Sequence, residues 1–233
     1  APTGIYTLSL HDALPIWRMQ EEVVRLLADA GIRLAHGPRE YRPRISLEDY
    51  EVKFLKPQNM VEMLQEGSRD IGFAGADWVA ELDLELVELL DTGLNPIQLV
   101  AATTPEFLAK KANADKPFVV ATEFTNLTRV WLADRKLEGR ILRAYGATEV
   151  FPPEDADYIV DVTATGATLE ANNLIITDEL MTSSTRLYAN PKLLDDAERR
   201  ERIERFVLIL RAVLEARKRV MVEVNVPADR LDE

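Results

Sequence analysis

Apolar and polar positions alternate along this chain in a way that divides it into short strands and amphipathic helices. From Arg18 to Ala30 the apolar residues Met19, Val23, Val24, Leu26, Leu27 and Ala30 recur at helical spacing, and Gly31 supplies a stop, which predicts a helix beginning near Trp17. A β-α-β-α succession follows, with a strand at 50–55, a helix at 57–66 that has Pro57 in its first turn, a strand at 70–74 and a short helix at 76–82. Residues 86–90 and 97–102 read as two strands separated by the turn-rich 91–96, taken as a crossing between lobes. The alternation restarts with a helix at 105–111, a strand at 117–122, a helix at 126–134 and strands at 139–144 and 158–162. Strands at 174–177 and 186–189 return the chain to the first lobe, a long helix spans 191–217, and an apolar strand is expected at 219–226. The chain reads as α/β, and crossovers as short and regular as those of the β-α-β-α succession at 50–82 imply that its strands run parallel and carry ligand groups at their carboxyl ends.

The chemistry concentrates in YIVDVTATGATLEANNL, residues 158–174, a buried strand running into a small-residue turn and then a helical start. Thr163, Ala164, Thr165, Gly166, Ala167 and Thr168 give that turn three hydroxyls, one glycine and no bulk, so consecutive backbone N–H groups can approach an anion closely. Asp161, near the strand's carboxyl end, stands where it can accept hydrogen bonds from sugar hydroxyls. The same pattern also fits an ordinary threonine-capped turn that binds nothing. Lys53, Lys56 and Asp77 fall at other strand ends and are site candidates, although Lys53 also suits an edge charge and Asp77 a helix cap. The segment 122–129 is either a second anion site or a well-capped helix start. Arginines 33, 39, 42 and 44 make a basic loop around His36, most of it expected to be solvated.

Composition narrows the classes. A formal charge of −12 over 233 residues argues against nucleic acid or an anionic membrane as the main partner, but allows an anionic small molecule at a locally basic site. There is no cysteine, so disulfides and thiolate chemistry are excluded, and no run approaches the length of a membrane span. The expected location is the cytoplasm. Metal-ligand patterns built on histidine, the Walker lysine loop and the dinucleotide glycine pattern are absent, so no metal site is assigned to the protein alone. Residues 1–16, which include His11, lack a period or a cap leading into the helix and are set aside as a non-native tail.

Three stretches together resemble the ATP phosphoribosyltransferase family, the first enzymes of histidine biosynthesis. They are KFLKPQNMVEMLQEGSRDIGFAGADWV from Lys53, VVATEFTNLTR from Val119, and DYIVDVTATGATLEANNL from Asp157. The last has that family's phosphoribosyl-pyrophosphate loop, an acid followed after three residues by Ser/Thr-Gly-x-Thr-Leu. The resemblance implies a two-lobed fold like that of periplasmic binding proteins, with lobe I at 17–94 and 179–216 and lobe II at 95–178. It implies transfer of the phosphoribosyl group to N1 of ATP with release of pyrophosphate, magnesium entering with the substrate. Asp161, Thr163, Ala164, Thr165, Gly166, Ala167, Thr168 and Leu169 would hold phosphoribosyl pyrophosphate, Asp161 being the catalytic candidate. Arg18, Lys56 and Asp77 would face ATP or pyrophosphate. A homodimer or homohexamer is implied as well. Residues 217–233 look like the start of a truncated regulatory domain, so histidine feedback is expected to be absent. The family's first turn keeps only its arginine here, at Arg18, and Lys56 and Asn59 stand where Arg and Asp are commoner. The alternative is a two-lobed solute-binding protein for a small anion, without catalysis.

Overall fold

The computed structural model describes residues 3–6, 14–35, 37, 40–110, 117–220 and 222, with side chains from residue 19 onward. Its centre is one eight-stranded mixed sheet in the order β4-β1-β5-β10-β6-β9-β7-β8. The strands are β1 (Thr3–Tyr6), β4 (Tyr50–Lys53), β5 (Ile71–Gly75), β6 (Val87–Thr103), β7 (Phe118–Thr122), β8 (Gly139–Arg143), β9 (Tyr158–Thr163) and β10 (Ile175–Ala189). A separate two-residue ribbon pairs β2 (Leu34–Ala35) with β3 (Arg44–Ile45). The helices are α1 (Leu14–Asp29), α2 (Pro57–Gln65), α3 (Ala76–Glu81), α4 (Pro105–Lys110), α5 (Thr125–Asp134), α6 (Ala167–Ala171) and α7 (Ala197–Arg217). Among the described residues no helix is long and apolar enough to cross a membrane.

Two expected pairs of strands turn out to be single strands. The turn residues 91–96 lie inside β6, and β10 runs unbroken from Ile175 to Ala189. The two pair antiparallel along their whole length with register shifts between Ser183 and Arg186. The turn chemistry is absorbed in those irregularities rather than in a reversal. Asp91 accepts from the Gly93 N–H at 2.8 Å and from the Ser184 hydroxyl at 2.7 Å, and Thr92 donates to the Thr185 carbonyl at 2.5 Å. Such bulges bend and twist a strand without ending it.

Strand direction then decides where a site can form. Near its start β6 pairs with β10, which is antiparallel to β5, so β5 and β6 run the same way. Farther along, β6 is antiparallel to β9, and β7 and β8 run with β9. The carboxyl ends of β4, β1 and β5 therefore face those of β9, β7 and β8 across the middle of the molecule. Each half has a core on both faces of its part of the sheet. In the first, Val23, Leu26 and Leu27 of α1 and Ile203, Phe206 and Leu210 of α7 cover one face, and Met60, Val61 and Leu64 of α2 cover the other. In the second, Trp131 and Leu132 pack with Tyr158 and Phe118 on one side, and Ala102, Ile159 and Leu169 on the other.

The stretch set aside as a non-native tail contributes a strand. Thr3–Tyr6 lies between β4 and β5, parallel to both, and supplies the ladder that these two strands, which do not pair with one another, require. Helix α1 accordingly starts at Leu14, ahead of the expected Trp17. The expected long helix at 191–217 begins with a 3₁₀ turn, Pro191–Asp195, and Asp196 caps α7 by accepting from the Glu198 and Arg199 N–H groups at 3.0 and 3.1 Å. Of the expected strand at 219–226, residues 219, 220 and 222 are described and lie in no strand, and the rest falls outside the described residues, as do His11 and His36.

Candidate active site

β9 brings Asp161 to the facing edge and the chain turns immediately after it. The Thr163 hydroxyl accepts the Gly166 N–H at 2.8 Å, folding the loop back on itself. Gly166 has φ +78°, the left-handed region that a side chain strains, and a Cβ added there would meet nothing within 4 Å. The space over the loop is thus open, and α6 starts beneath it. Any helix start leaves its first amides without a carbonyl one turn back; the Ala167 N–H donates to the Thr165 hydroxyl at 3.4 Å, and Thr168 and Leu169 present donors there. Leu169 is buried and anchors the loop in the core, while Ala164, Thr165, Ala167 and Thr168 are exposed.

Asp161 is held firmly. Its Oδ1 accepts the Val162 N–H at 2.7 Å and its Oδ2 accepts the Thr148 hydroxyl. Burial pushes its carboxyl above the usual range, the two hydrogen bonds oppose this, and the nearby Glu149 charge adds to it. Glu123, which follows the end of β7, is raised by burial and then by the Asp161 charge, with Lys56 and Arg143 pulling the other way. Lys56, exposed at the start of α2 in the first half, therefore acts across the divide on Glu123 in the second. Arg143 ends β8 with its guanidinium 5.3 Å from the centre of the exposed Tyr145 ring.

The other sequence candidates lie differently. Asp77 is only 4% exposed, and its Oδ1 accepts the Ser183 hydroxyl at 2.6 Å. Ser183 in turn accepts the Asp77 N–H at 3.1 Å, and burial pushes this carboxyl up. A Cβ on Gly75 would stand 2.1 Å from Asp77 Oδ1, so only glycine lets the carboxylate fold back over the start of α3. Asp77 is thus turned into the protein. Lys53 ends β4, and desolvation followed by the Arg69 and Arg42 charges depresses its ammonium. Arg18 lies in α1 and its side chain is outside the described residues.

The segment 122–129 resolves as a capped helix, and its cap comes from the other half. The Glu81 carboxylate, 3% exposed, accepts the Asn126 N–H at 3.0 Å, the Leu127 N–H at 3.0 Å and the Thr125 hydroxyl at 3.3 Å. The Asn126 side chain donates back to the Glu81 carbonyl at 2.7 Å. Beside this clasp the Trp78 and Phe124 rings lie 4.9 Å apart. A protein carboxylate thus fills the place an external anion would take. Glu81, Thr148 and Glu149 were not singled out by the sequence: Glu81 acts from the other half, and Thr148 and Glu149 reach Asp161 from a 3₁₀ turn at Thr148–Val150. Glu123 carried a signal, its position in the segment 122–129 directly after a predicted strand end.

Comparison with known proteins fits this arrangement. The family model described as HisG, ATP phosphoribosyltransferase, matches residues 56–212. The ATP phosphoribosyltransferase of Prosthecochloris aestuarii is 34% identical over 224 residues, 94% of this chain and 76% of that protein. Among solved structures, the ATP phosphoribosyl transferase (HisG:HisZ) complex from Thermotoga maritima superposes with a TM-score of 0.76 at 25% identity, covering 92% of this chain and 99% of that one. The VFT2 domain of Bordetella pertussis BvgS shares the fold alone, with a TM-score of 0.54 at 14% identity over 92% of this chain and 87% of that one. Architecture therefore extends beyond the family, whereas the sequence match runs through the Asp161 loop and both facing edges. This chain belongs to the ATP phosphoribosyltransferase family.

Proposed function

We propose that this chain transfers the 5-phosphoribosyl group of phosphoribosyl pyrophosphate to N1 of the adenine ring of ATP, releasing pyrophosphate, as the first step of histidine biosynthesis. The observation that carries this reading is Asp161, pinned by Thr148 and the Val162 N–H at the mouth of an open amide-lined loop. The loop amides from Thr165 to Leu169, with the hydroxyls of Thr165 and Thr168, hold the 5′-phosphate, the Gly166 and Ala167 N–H groups turning to it from the Thr163 and Thr165 hydroxyls that accept them in the unliganded loop. The Asp161 carboxylate accepts from the ribose hydroxyls, and Lys56 balances pyrophosphate or the ATP phosphates from the opposite edge. Magnesium enters with phosphoribosyl pyrophosphate as part of that substrate and shields its diphosphate.

In the step itself the N1–C1 bond forms as the C1–O bond to pyrophosphate breaks, the electron pair leaving with pyrophosphate. The leaving group is already good, so the protein contributes mainly orientation and a fixed negative charge beside the ribosyl cation as it develops. We place the enzyme in the cytoplasm as a homo-oligomer. The Thermotoga neighbour is a HisG:HisZ complex, which supports assembly of some kind.

Calorimetry with magnesium phosphoribosyl pyrophosphate tests the loop. Gly166→Val places a branched side chain at φ +78° and in the open space above the amides. Affinity is expected to fall by about tenfold or more, an expectation drawn from the loss of one or two charge-assisted hydrogen bonds. Undiminished binding by the variant would remove the loop from the site. A pyrophosphate-release assay with both substrates separates transfer from simple anion binding.

A further inference from the structure

Glu123 is a carboxylate on the facing edge to which the transfer step gives no task. It follows Thr122, which is in register with Val160 of β9 and Arg143 of β8. Glu123 therefore stands level with Asp161, one strand over, at the carboxyl end of three parallel strands. Among the described residues its carboxylate accepts no hydrogen bond and makes no ion pair within 4 Å. Lys56 and Arg143 act on it only as more distant charges. Glu123 is half-buried, so water reaches its carboxylate, and a ligand that displaces this water supplies the donor in its place.

The geometry points to a specific donor. If Asp161 holds the ribose hydroxyls, C1 and the nitrogen that attacks it meet beside the neighbouring strand end. In adenine, N1 is bonded to C6, which carries the amino group, so a base that turns N1 toward C1 brings its 6-amino N–H along the same edge. We propose that Glu123 accepts a hydrogen bond from the 6-amino group of the adenine ring, and that this contact selects adenine and aligns N1; the inference rests on the transferase reading. As N1 bonds to C1, positive charge spreads over N1, C6 and the amino nitrogen. A carboxylate at the amino group counters that charge where it develops, and no proton has to leave the base. A base with oxygen at position 6 presents an acceptor to an acceptor and is repelled.

The test uses the full chain and Glu123→Gln, whose amide has nearly the same shape and can donate as well as accept. KM for ATP and the inhibition constant of ITP competing with ATP are measured for both proteins, with calorimetric binding of magnesium phosphoribosyl pyrophosphate as the control. The variant is expected to raise KM for ATP about tenfold and to bind ITP more tightly, shrinking the preference for ATP over ITP by about thirtyfold or more. Binding of phosphoribosyl pyrophosphate is expected to stay within about twofold, which also reports that the variant is folded. An unchanged preference in an active enzyme overturns the inference alone. Loss of phosphoribosyl pyrophosphate binding overturns it too, by assigning Glu123 to the ribose. A wild-type chain that binds both substrates and releases no pyrophosphate overturns the transferase reading together with the inference.

Discussion

Replacing Asp161 by asparagine is expected to lower kcat/KM by about a thousandfold, or ~4 kcal/mol of transition-state stabilisation, while raising the melting temperature. Both effects come from one cause. The carboxylate is a fixed negative charge in a mostly buried place, useful only when a ribosyl cation forms beside it. Burial raises its carboxyl above the value it has in the unfolded chain, with Glu149 adding to the shift and the Thr148 and Val162 bonds opposing it. Ionising it therefore costs more in the folded protein. Its contribution to stability is complete below the unfolded value, about pH 4, and is lost as pH rises through the raised folded value. Asparagine does not titrate. Over that window the wild type should lose stability relative to the variant, and at neutral pH the variant should melt higher. The Thr148 hydroxyl can turn to accept from the new amide, so the packing survives. Thermal melts across pH and steady-state kinetics on the same preparations check the two halves. An active variant, or one that melts lower at every pH, would refute the assignment.

Glu81→Ala should be the most destabilising single change outside the apolar core. It removes the acceptor for the Asn126 and Leu127 N–H groups and the Thr125 hydroxyl, and leaves these donors facing a cavity. Loss of a helix cap costs about 1 kcal/mol and abandoned buried donors add about 1–3 kcal/mol more, so a total near 3 kcal/mol is reasonable. For a chain of this size that is a fall of roughly 6–12 °C in melting temperature. Glu81→Gln keeps an acceptor and should recover about half of the loss, which separates the hydrogen bonds from the filling of space. A drop under about 1 °C for the alanine variant would mean that solvent caps α5 equally well.

The parts of the molecule legible in the sequence are those made by neighbours in the chain. The β-α-β-α succession of the first half and the alternation of the second follow from apolar spacing, and the Asp161 loop is complete within a dozen residues. Loop and acid could be read together because one strand delivers both. What escaped depends on distant partners. Residues 91–96 are rich in turn residues, yet pairing along β10 holds them in a strand and spends the Thr92 hydroxyl and the Asp91 carboxylate on bulges. Asp77 follows a strand end just as a ligand-binding acid would, but Ser183, 106 residues away, decides that its carboxylate turns inward. Glu123 and Glu149 matter through the charge of Asp161, and the lateral order of strands that places them beside it cannot be inferred from spacing.

The two long strands also bear on how the protein is made. β5 is buried along its entire length, and β10 residues Thr185–Ala189 cover one of its edges. Those residues are synthesised more than a hundred positions after β5. At ribosomal speeds of about 5–20 residues per second, the strand waits on the order of ten seconds for its neighbour. During that interval the second half, a continuous stretch of chain between the two crossings, can fold while the first half still shows an apolar, unpaired border. Such a border is the surface on which nascent chains join one another. Slower translation lengthens the exposure of β5, and losses to aggregation during synthesis should concentrate on this strand rather than on the half that bears the phosphate loop.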